Sequence, residues 1–164
     1  MPWLTPDSHA EQVEAAREIV LRRLDRCPAP RAALAGLLER REVDPQVAQE
    51  VLDRLEAVGI IDDASYAAAL ARTRFALKGA ARRAIAEELR AKGVGEEHIA
   101  SALEQVDGAG EQEAALALAR RRLAATRGLD PEVRRRRTLA HLGRKGYDAE
   151  VSAQALRRAL AEEP

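Results

Sequence analysis

Arginine supplies most of the chemistry available to this chain. Twenty-four arginines stand beside three lysines, and 27 basic groups are matched by 27 acidic ones, giving a formal net charge of zero. A guanidinium is a planar, permanently charged fork that pairs bidentately with phosphate or carboxylate. The densest runs are Arg120-Arg121-Arg122 and Arg134-Arg135-Arg136-Arg137. Residues 111–145 hold ten basic and four acidic groups, whereas residues 1–80 hold eleven and thirteen. Global neutrality argues against a bulk electrostatic coat for nucleic acid, but the local excess permits one basic face. Consecutive helical residues point about 100° apart, so a run cannot all face one way. Arg136, Arg137 and Arg144 do share the outer face of one helix. Few acids stand at i±4 to neutralise them, while Arg83 has Glu87 four residues on. Two readings follow: a solvated face, the usual fate of a charge run, or contact with DNA or an acidic protein groove.

No constellation for catalysis is visible. His9, His98 and His141 are scattered, and none has a second ligand at metal spacing. His98 aligns with Val47 and Val151 in the repeat described below, which marks a partly buried structural position. Cys27 is the single cysteine, so it forms no intrachain disulfide, and no basic partner near it marks a nucleophile. Its solitude fits a reduced, intracellular setting. Lys78-Gly79-Ala80-Ala81 follows a helix rather than a strand and lacks the phosphate-loop pattern. Asp62-Asp63 reads as a helix cap rather than a cation site. No apolar run approaches the roughly 20 residues of a membrane span. The start, MPWLTPDSHAEQ, lacks a charged leader and an apolar stretch, so no signal peptide is expected. Trp3 is expected to pack loosely or to be disordered in a polar tail.

The elements that must position these arginines are helical. Apolar residues make up 46% of the chain and aromatics 2%. Alanine and leucine dominate, so helices approach closely but bury little area each. Apolar periodicity predicts a first helix from about Ser8 to Asp25, broken by Cys27-Pro28-Ala29-Pro30. A second follows from about Arg31 to Arg41. A third opens at Asp44-Pro45, a cap followed by proline at the first helical position, and ends at Gly59. The stretch Ile61–Val94 is the best-defined part: Asp62 and Asp63 mark a helix start, and Gly79 and Gly93 mark two helix ends. Its helices carry Tyr66, Leu70 and Leu77, then Ala81, Ile85 and Leu89, and a third helix carries Ile99, Leu103 and Val106. Asp107-Gly108-Ala109-Gly110 reads as a clear break. Helices then follow near 111–126, from Asp130-Pro131 to Gly146, and from Asp148 to about Ala161.

These segments repeat. Shifts of 51 and 53 residues superpose Leu38, Leu89 and Leu142; Val43, Val94 and Tyr147; Leu52, Leu103 and Leu156; and Ile19, Leu70 and Leu123. The expected fold is all-α: an elongated, curved array of three tandem three-helix repeats, at 10–60, 61–107 and 108–164, behind a tail at 1–9. No strand-period segment competes. Arginine recurs at two repeat positions. Arg23, Arg74 and Arg127 end each unit's first helix, and Arg74 falls inside the apolar face. That placement makes it a fold residue, with its methylenes covered and its head on a carbonyl or a neighbouring carboxylate. Arg31, Arg82 and Arg135 lie near the start of the second helix, where either role is open.

The most specific residues are Gly59-Ile60-Ile61-Asp62-Asp63, then Ser65-Tyr66-Ala67, Arg74, Glu88-Leu89 and Lys92-Gly93-Val94. In these the chain resembles the RecX family of regulators of the RecA recombinase, over about residues 10–161. Arg121-Arg122-Leu123 through Arg127-Gly128-Leu129-Asp130, with Arg144-Lys145-Gly146-Tyr147, resembles the third unit of members from GC-rich bacteria. There are departures: Ala80-Ala81 stands where many members have Gly-Pro, and Leu70 where many have a bulky aromatic. The resemblance implies tandem trihelical repeats and binding along the groove of the RecA nucleoprotein filament. It implies inhibition of strand exchange and ATP hydrolysis without enzymatic activity of the protein's own. It further implies a cytoplasmic monomer without cofactors, and DNA binding that is weak alone. The residues assigned to filament or DNA contact are Arg72, Arg82, Arg120, Arg121, Arg122, Arg134, Arg136, Arg137, Arg144 and Lys145. Those assigned to the fold are Asp62, Asp63 and Arg74. Two other readings of the residues stand beside this one: a stand-alone DNA-binding protein, and a generic helical scaffold with solvated arginines. Near-neutral charge and the lack of stacking aromatics weigh against tight single-strand binding.

Overall fold

The computed structural model describes residues 8–164, so Trp3 lies outside the described part. Nine helices and no strands occur there: α1 (Ser8–Arg26), α2 (Arg31–Arg40), α3 (Pro45–Ala57), α4 (Asp63–Lys78), α5 (Arg82–Ala91), α6 (Glu96–Leu103), α7 (Gly108–Ala125), α8 (Pro131–Arg144) and α9 (Ala149–Ala161). Aspartates set many of the starts. Asp44 accepts from the N–H groups of Gln46 (2.9 Å) and Val47 (3.3 Å), Asp62 from Ser65 (3.0 Å), Asp130 from Glu132 (2.9 Å) and Asp148 from Val151 (2.8 Å). Proline follows Asp44 and Asp130 at the first helical position.

Two boundaries differ from expectation. Asp107-Gly108-Ala109-Gly110 is the first turn of α7 rather than a break, because the Asp107 carboxylate takes the Gly110 N–H at 2.6 Å. α6 ends at Leu103, short of Val106. The Gln105 side chain there donates to the carbonyls of Ala102 (2.9 Å) and Ala68 (3.0 Å), closing the turn and tying it to α4.

The helices pack as consecutive triplets. α1 packs on α2 and α3, α4 on α5 and α6, and α7 on α8 and α9, while helices of different triplets meet only sparsely. Each triplet has its own apolar cluster. Leu34, Leu38, Val51 and Leu52 centre the first, Ile85, Leu89 and Ile99 the second, and Leu116, Leu123 and Leu142 the third. Ile61 belongs to the first cluster and Ala81 to the third, so each junction shares one residue with its neighbour. Sparse contact between successive triplets makes the array an extended one. Leu77 departs from its expected place on the apolar face. It is 79% exposed and belongs to none of the three buried clusters.

Few contacts join the triplets, and they recur. α2 and α5 have no side-chain cap of their own, since Pro30 and Ala81 hold their cap positions. Asp63 of the second triplet accepts from the Arg31 N–H at 2.8 Å, and Glu111 of the third accepts from the Arg82 N–H at 2.7 Å. Asp63 was expected to serve its own helix start; Asp62 does that, and Asp63 serves the preceding triplet. At the second junction the Ala81 N–H donates to the Lys145 carbonyl (2.9 Å) and the Tyr147 hydroxyl to the Gly79 carbonyl (2.8 Å). Burial, with Glu111 nearby, pushes the Tyr147 phenol up to about 12.

Backbone also approaches backbone at these junctions. Gly93 has φ +79°, and a Cβ there would lie 2.5 Å from the Ala32 Cβ of the preceding triplet. Gly146 repeats the arrangement against Ala84 at 2.6 Å. Gly59 has nearly the same φ, +80°, but nothing within 4 Å of a Cβ. Gly59→Ala should therefore cost only the left-handed strain, about 1 kcal/mol. Gly93→Ala should cost a further 1–3 kcal/mol, roughly, from overpacking. Urea denaturation of both variants checks this, with Ala32→Gly expected to restore much of the difference. Equal losses at the two glycines would contradict the close junction.

Candidate functional site

The basic residues fall into two groups once their partners are known. Arg74 donates through Nε to Glu88 Oε2 (2.8 Å) and through Nη2 to Oε1 (2.7 Å), a bidentate pair between α4 and α5. That hydrogen bonding, opposed in part by burial, holds the Glu88 carboxyl below the usual glutamate range. Arg31 bridges Asp53 (2.7 Å) and Glu56, and Arg23 donates to the Cys27 carbonyl (2.8 Å) at the end of α1. Arg120 pairs with Glu162 (2.5 and 2.7 Å). Arg134 pairs with Glu163 (2.6 and 3.0 Å) and also reaches the Leu123 carbonyl (2.8 Å). The expectation that third-unit arginines lack acidic neighbours therefore fails for Arg120 and Arg134. Their acids come from the end of α9, which packs on α7 and is remote in sequence. A second correction concerns Cys27: the Arg23 Nη1 lies 3.0 Å from its Sγ, so a basic group does stand beside it.

The other group stays open. The end of α4, one face of α7 and the end of α8 enclose a shallow cleft of about 370 Å³ at the junction of the second and third triplets. Lys78, Arg121, Arg122, His141 and Lys145 line it, with Leu118, Ala125 and the exposed Leu77 as its apolar part. No carboxylate lines the cleft. Arg122 Nε is shielded from solvent and meets no acceptor, a donor left unsatisfied. The His141 imidazole is held below the usual histidine range, first by burial and then by Arg122, Lys145, Arg144 and Arg121 around it. The imidazole thus favours its neutral form and leaves the charge to arginine and lysine. Cations gathered without a lining carboxylate suit an anionic group.

Comparison with known proteins places this architecture. The description "RecX, second three-helix domain" matches residues 62–103, and "RecX, third three-helix domain" matches residues 110–156. The Regulatory protein RecX of Thermobifida fusca is 47% identical over 148 residues, which is 90% of this chain and 80% of that protein. The chain belongs to the RecX family. The RecX protein of Streptomyces lividans is 45% identical over 153 residues, covering 93% of this chain and 81% of that one. The RecX protein of Mycobacterium marinum is 40% identical over 157 residues, covering 95% and 91%. Among solved structures, RecX from Lactobacillus salivarius superposes with a TM-score of 0.81 at 16% identity, over 93% of this chain and 99% of that one. A second crystal structure of a regulatory protein RecX gives 0.79 at 24% identity, over 92% and 74%. These two show the shared fold, and the relatives by sequence are named as regulatory proteins.

Within this RecX fold, Arg121, Arg122 and Lys145 meet in the cleft and Arg144 stands beside His141. Arg137 lies one turn before His141 on the same stripe of α8. Arg72, Arg82 and Arg136 are exposed but line none of the cleft. Lys78, Leu77 and His141 were given no part in a contact surface from the sequence. Nor was it seen there that Lys145 repeats a cation at the C-cap of each second helix, with Arg41 and Lys92 before it. The 51- and 53-residue shifts superpose those three. A cation there meets the negative helix end in every triplet.

The Arg74–Glu88 pair generates a pH test. A depressed carboxyl contributes stability above its ordinary range, near 4.3, and that contribution is lost as pH falls through its lower folded value. Lys92 and Lys78 also face Glu88 and act in the same direction, and Tyr66 adjoins Arg74. Arg74→Ala should cost about 1 kcal/mol near neutrality, and the difference from wild type should shrink as pH falls through the lowered Glu88 range. Urea midpoints across pH measure it; a constant difference would contradict the assignment.

Proposed function

We propose that the chain binds the RecA nucleoprotein filament and restrains RecA strand exchange and ATP hydrolysis. The carboxylate-free cationic cleft, set in an extended three-triplet array, is the observation that supports this reading. An array whose triplets touch sparsely can follow a long curved groove, and its unpaired guanidinium groups suit an acidic surface or phosphates. On this reading Arg121, Arg122, Arg144 and Lys145 make the principal contacts. Arg72, Arg82, Arg136 and Arg137 extend them, and Arg120 and Arg134 serve only where Glu162 and Glu163 release them. Asp62, Asp63 and Arg74 hold the fold. The working units are residues 10–60, 61–107 and 108–164. The protein acts as a cytoplasmic monomer, binds DNA weakly by itself, and performs no catalysis.

RecA-dependent ATP hydrolysis on single-stranded DNA tests the reading. Added protein should slow hydrolysis. The double variant Arg121→Glu, Lys145→Glu should keep its helical circular dichroism and lose potency on the order of tenfold or more, as expected from two lost charge-assisted contacts. Absence of inhibition by the wild-type chain at one copy per few RecA protomers would overturn the proposal. Tight, salt-sensitive DNA binding without any effect on RecA would favour a stand-alone DNA-binding protein.

A further inference from the structure

The cleft between the second and third triplets is not purely cationic, and its apolar part has no counterpart in a phosphate backbone. Leu77 is 79% exposed, more than Val58, Ile60, Leu129 or Leu139, the other exposed large apolar residues among those described. It lines the cleft directly before Lys78, with the buried Leu118 as its floor and the exposed Ala125 beside them. Leu118 is 6% exposed and packs within 3.1 Å of the position of a Cβ on Gly79, so this floor is fixed by the junction itself. Around it stand Lys78, Arg121, Arg122 and Lys145, with no carboxylate among the lining residues. The aromatic platforms on which bases stack are missing from the cleft. Cations surrounding an apolar rim are complementary to a carboxylate-bearing segment with an aliphatic side chain. The guanidinium groups take carboxylates in bidentate fashion while the aliphatic side chain covers Leu77.

We infer that this cleft is a docking site for an acidic peptide segment of a partner protein, anchored by one aliphatic side chain against Leu77 and Leu118. This rests on the reading of the cleft as the contact surface of a RecA regulator and names the chemistry of the partner surface there: protein rather than nucleic acid.

Fluorescence anisotropy with three probes on the full chain tests it. One is a fluorescein-labelled peptide of glutamates flanking a single central leucine. The second is the same peptide with serine in place of the leucine, and the third is an oligothymidylate of equal charge. The leucine peptide should bind more tightly than the serine peptide. Leu77→Gln, a change at an exposed position that leaves the fold intact, should weaken the leucine peptide by about fivefold to tenfold. The same variant should leave the serine peptide and the oligonucleotide unchanged. Arg121→Ala should weaken both peptides. Equal binding of the two peptides, equal effects of Leu77→Gln on all probes, binding of the oligonucleotide alone, or no peptide binding would each overturn the inference. The assay contains no RecA, so the two proposals fail separately. A chain that inhibits RecA but ignores the peptide loses only this inference. A chain that binds the peptide but spares RecA loses only the proposed function.

Discussion

A helix start leaves backbone N–H groups unpaired, and in α2 and α5 the carboxylate that meets them belongs to the following triplet. Pro30 and Ala81 occupy the cap positions and offer no side-chain oxygen, so Asp63 and Glu111 supply it across the junctions. α8 differs in carrying its own cap, Asp130. The order of the array is thus written into its hydrogen bonds. Because the apolar clusters share no more than Ile61 and Ala81 across the joints, these carboxylates and the close glycine contacts at Gly93 and Gly146 set the angle at each joint. The second joint adds the buried Tyr147 hydroxyl, which fixes the end of α4 against the turn after α8. That turn and that helix end are the walls of the cleft, so the joint also shapes the site.

Charge is sorted by the same packing. Arg31, Arg74, Arg120 and Arg134 each meet carboxylates from another helix or from the residues just beyond one, and so belong to the fold. A net charge of zero therefore hides an uneven surface. The neutralised arginines lie where triplets close on themselves, and Arg121 and Arg122 stand open where two triplets meet. Partial exposure of most pairs limits what each contributes to stability, so their main effect is to fix helix registry and to leave Arg121, Arg122 and Lys145 without competitors.

Helix positions were legible because their signals are local. Asp44-Pro45, Asp62, Asp130-Pro131 and Asp148 cap the helices they precede, and Gly79 and Gly93 turn where glycine was expected to turn. The repeat was legible because Leu38, Leu89 and Leu142 fill the same buried place in three triplets. What escaped was non-local. Asp63 and Asp62 are adjacent, yet only geometry shows that they serve different triplets. Glu162 and Glu163 lie about 30 to 40 residues from the arginines they neutralise. Leu77 has the spacing of a core residue, yet it stands in solvent. Lys78 escaped because a single lysine beside a helix end has no run to mark it.

The central claim is that an extended array presents the junction of its second and third triplets to a filament. Imaging of RecA–single-stranded DNA filaments decorated with the chain, followed by helical reconstruction, tests it most directly. The account predicts continuous density for three triplets along the filament groove, with Leu77, Arg121 and Lys145 facing protein. Density with that junction turned to solvent, or the absence of density along the groove, would contradict it.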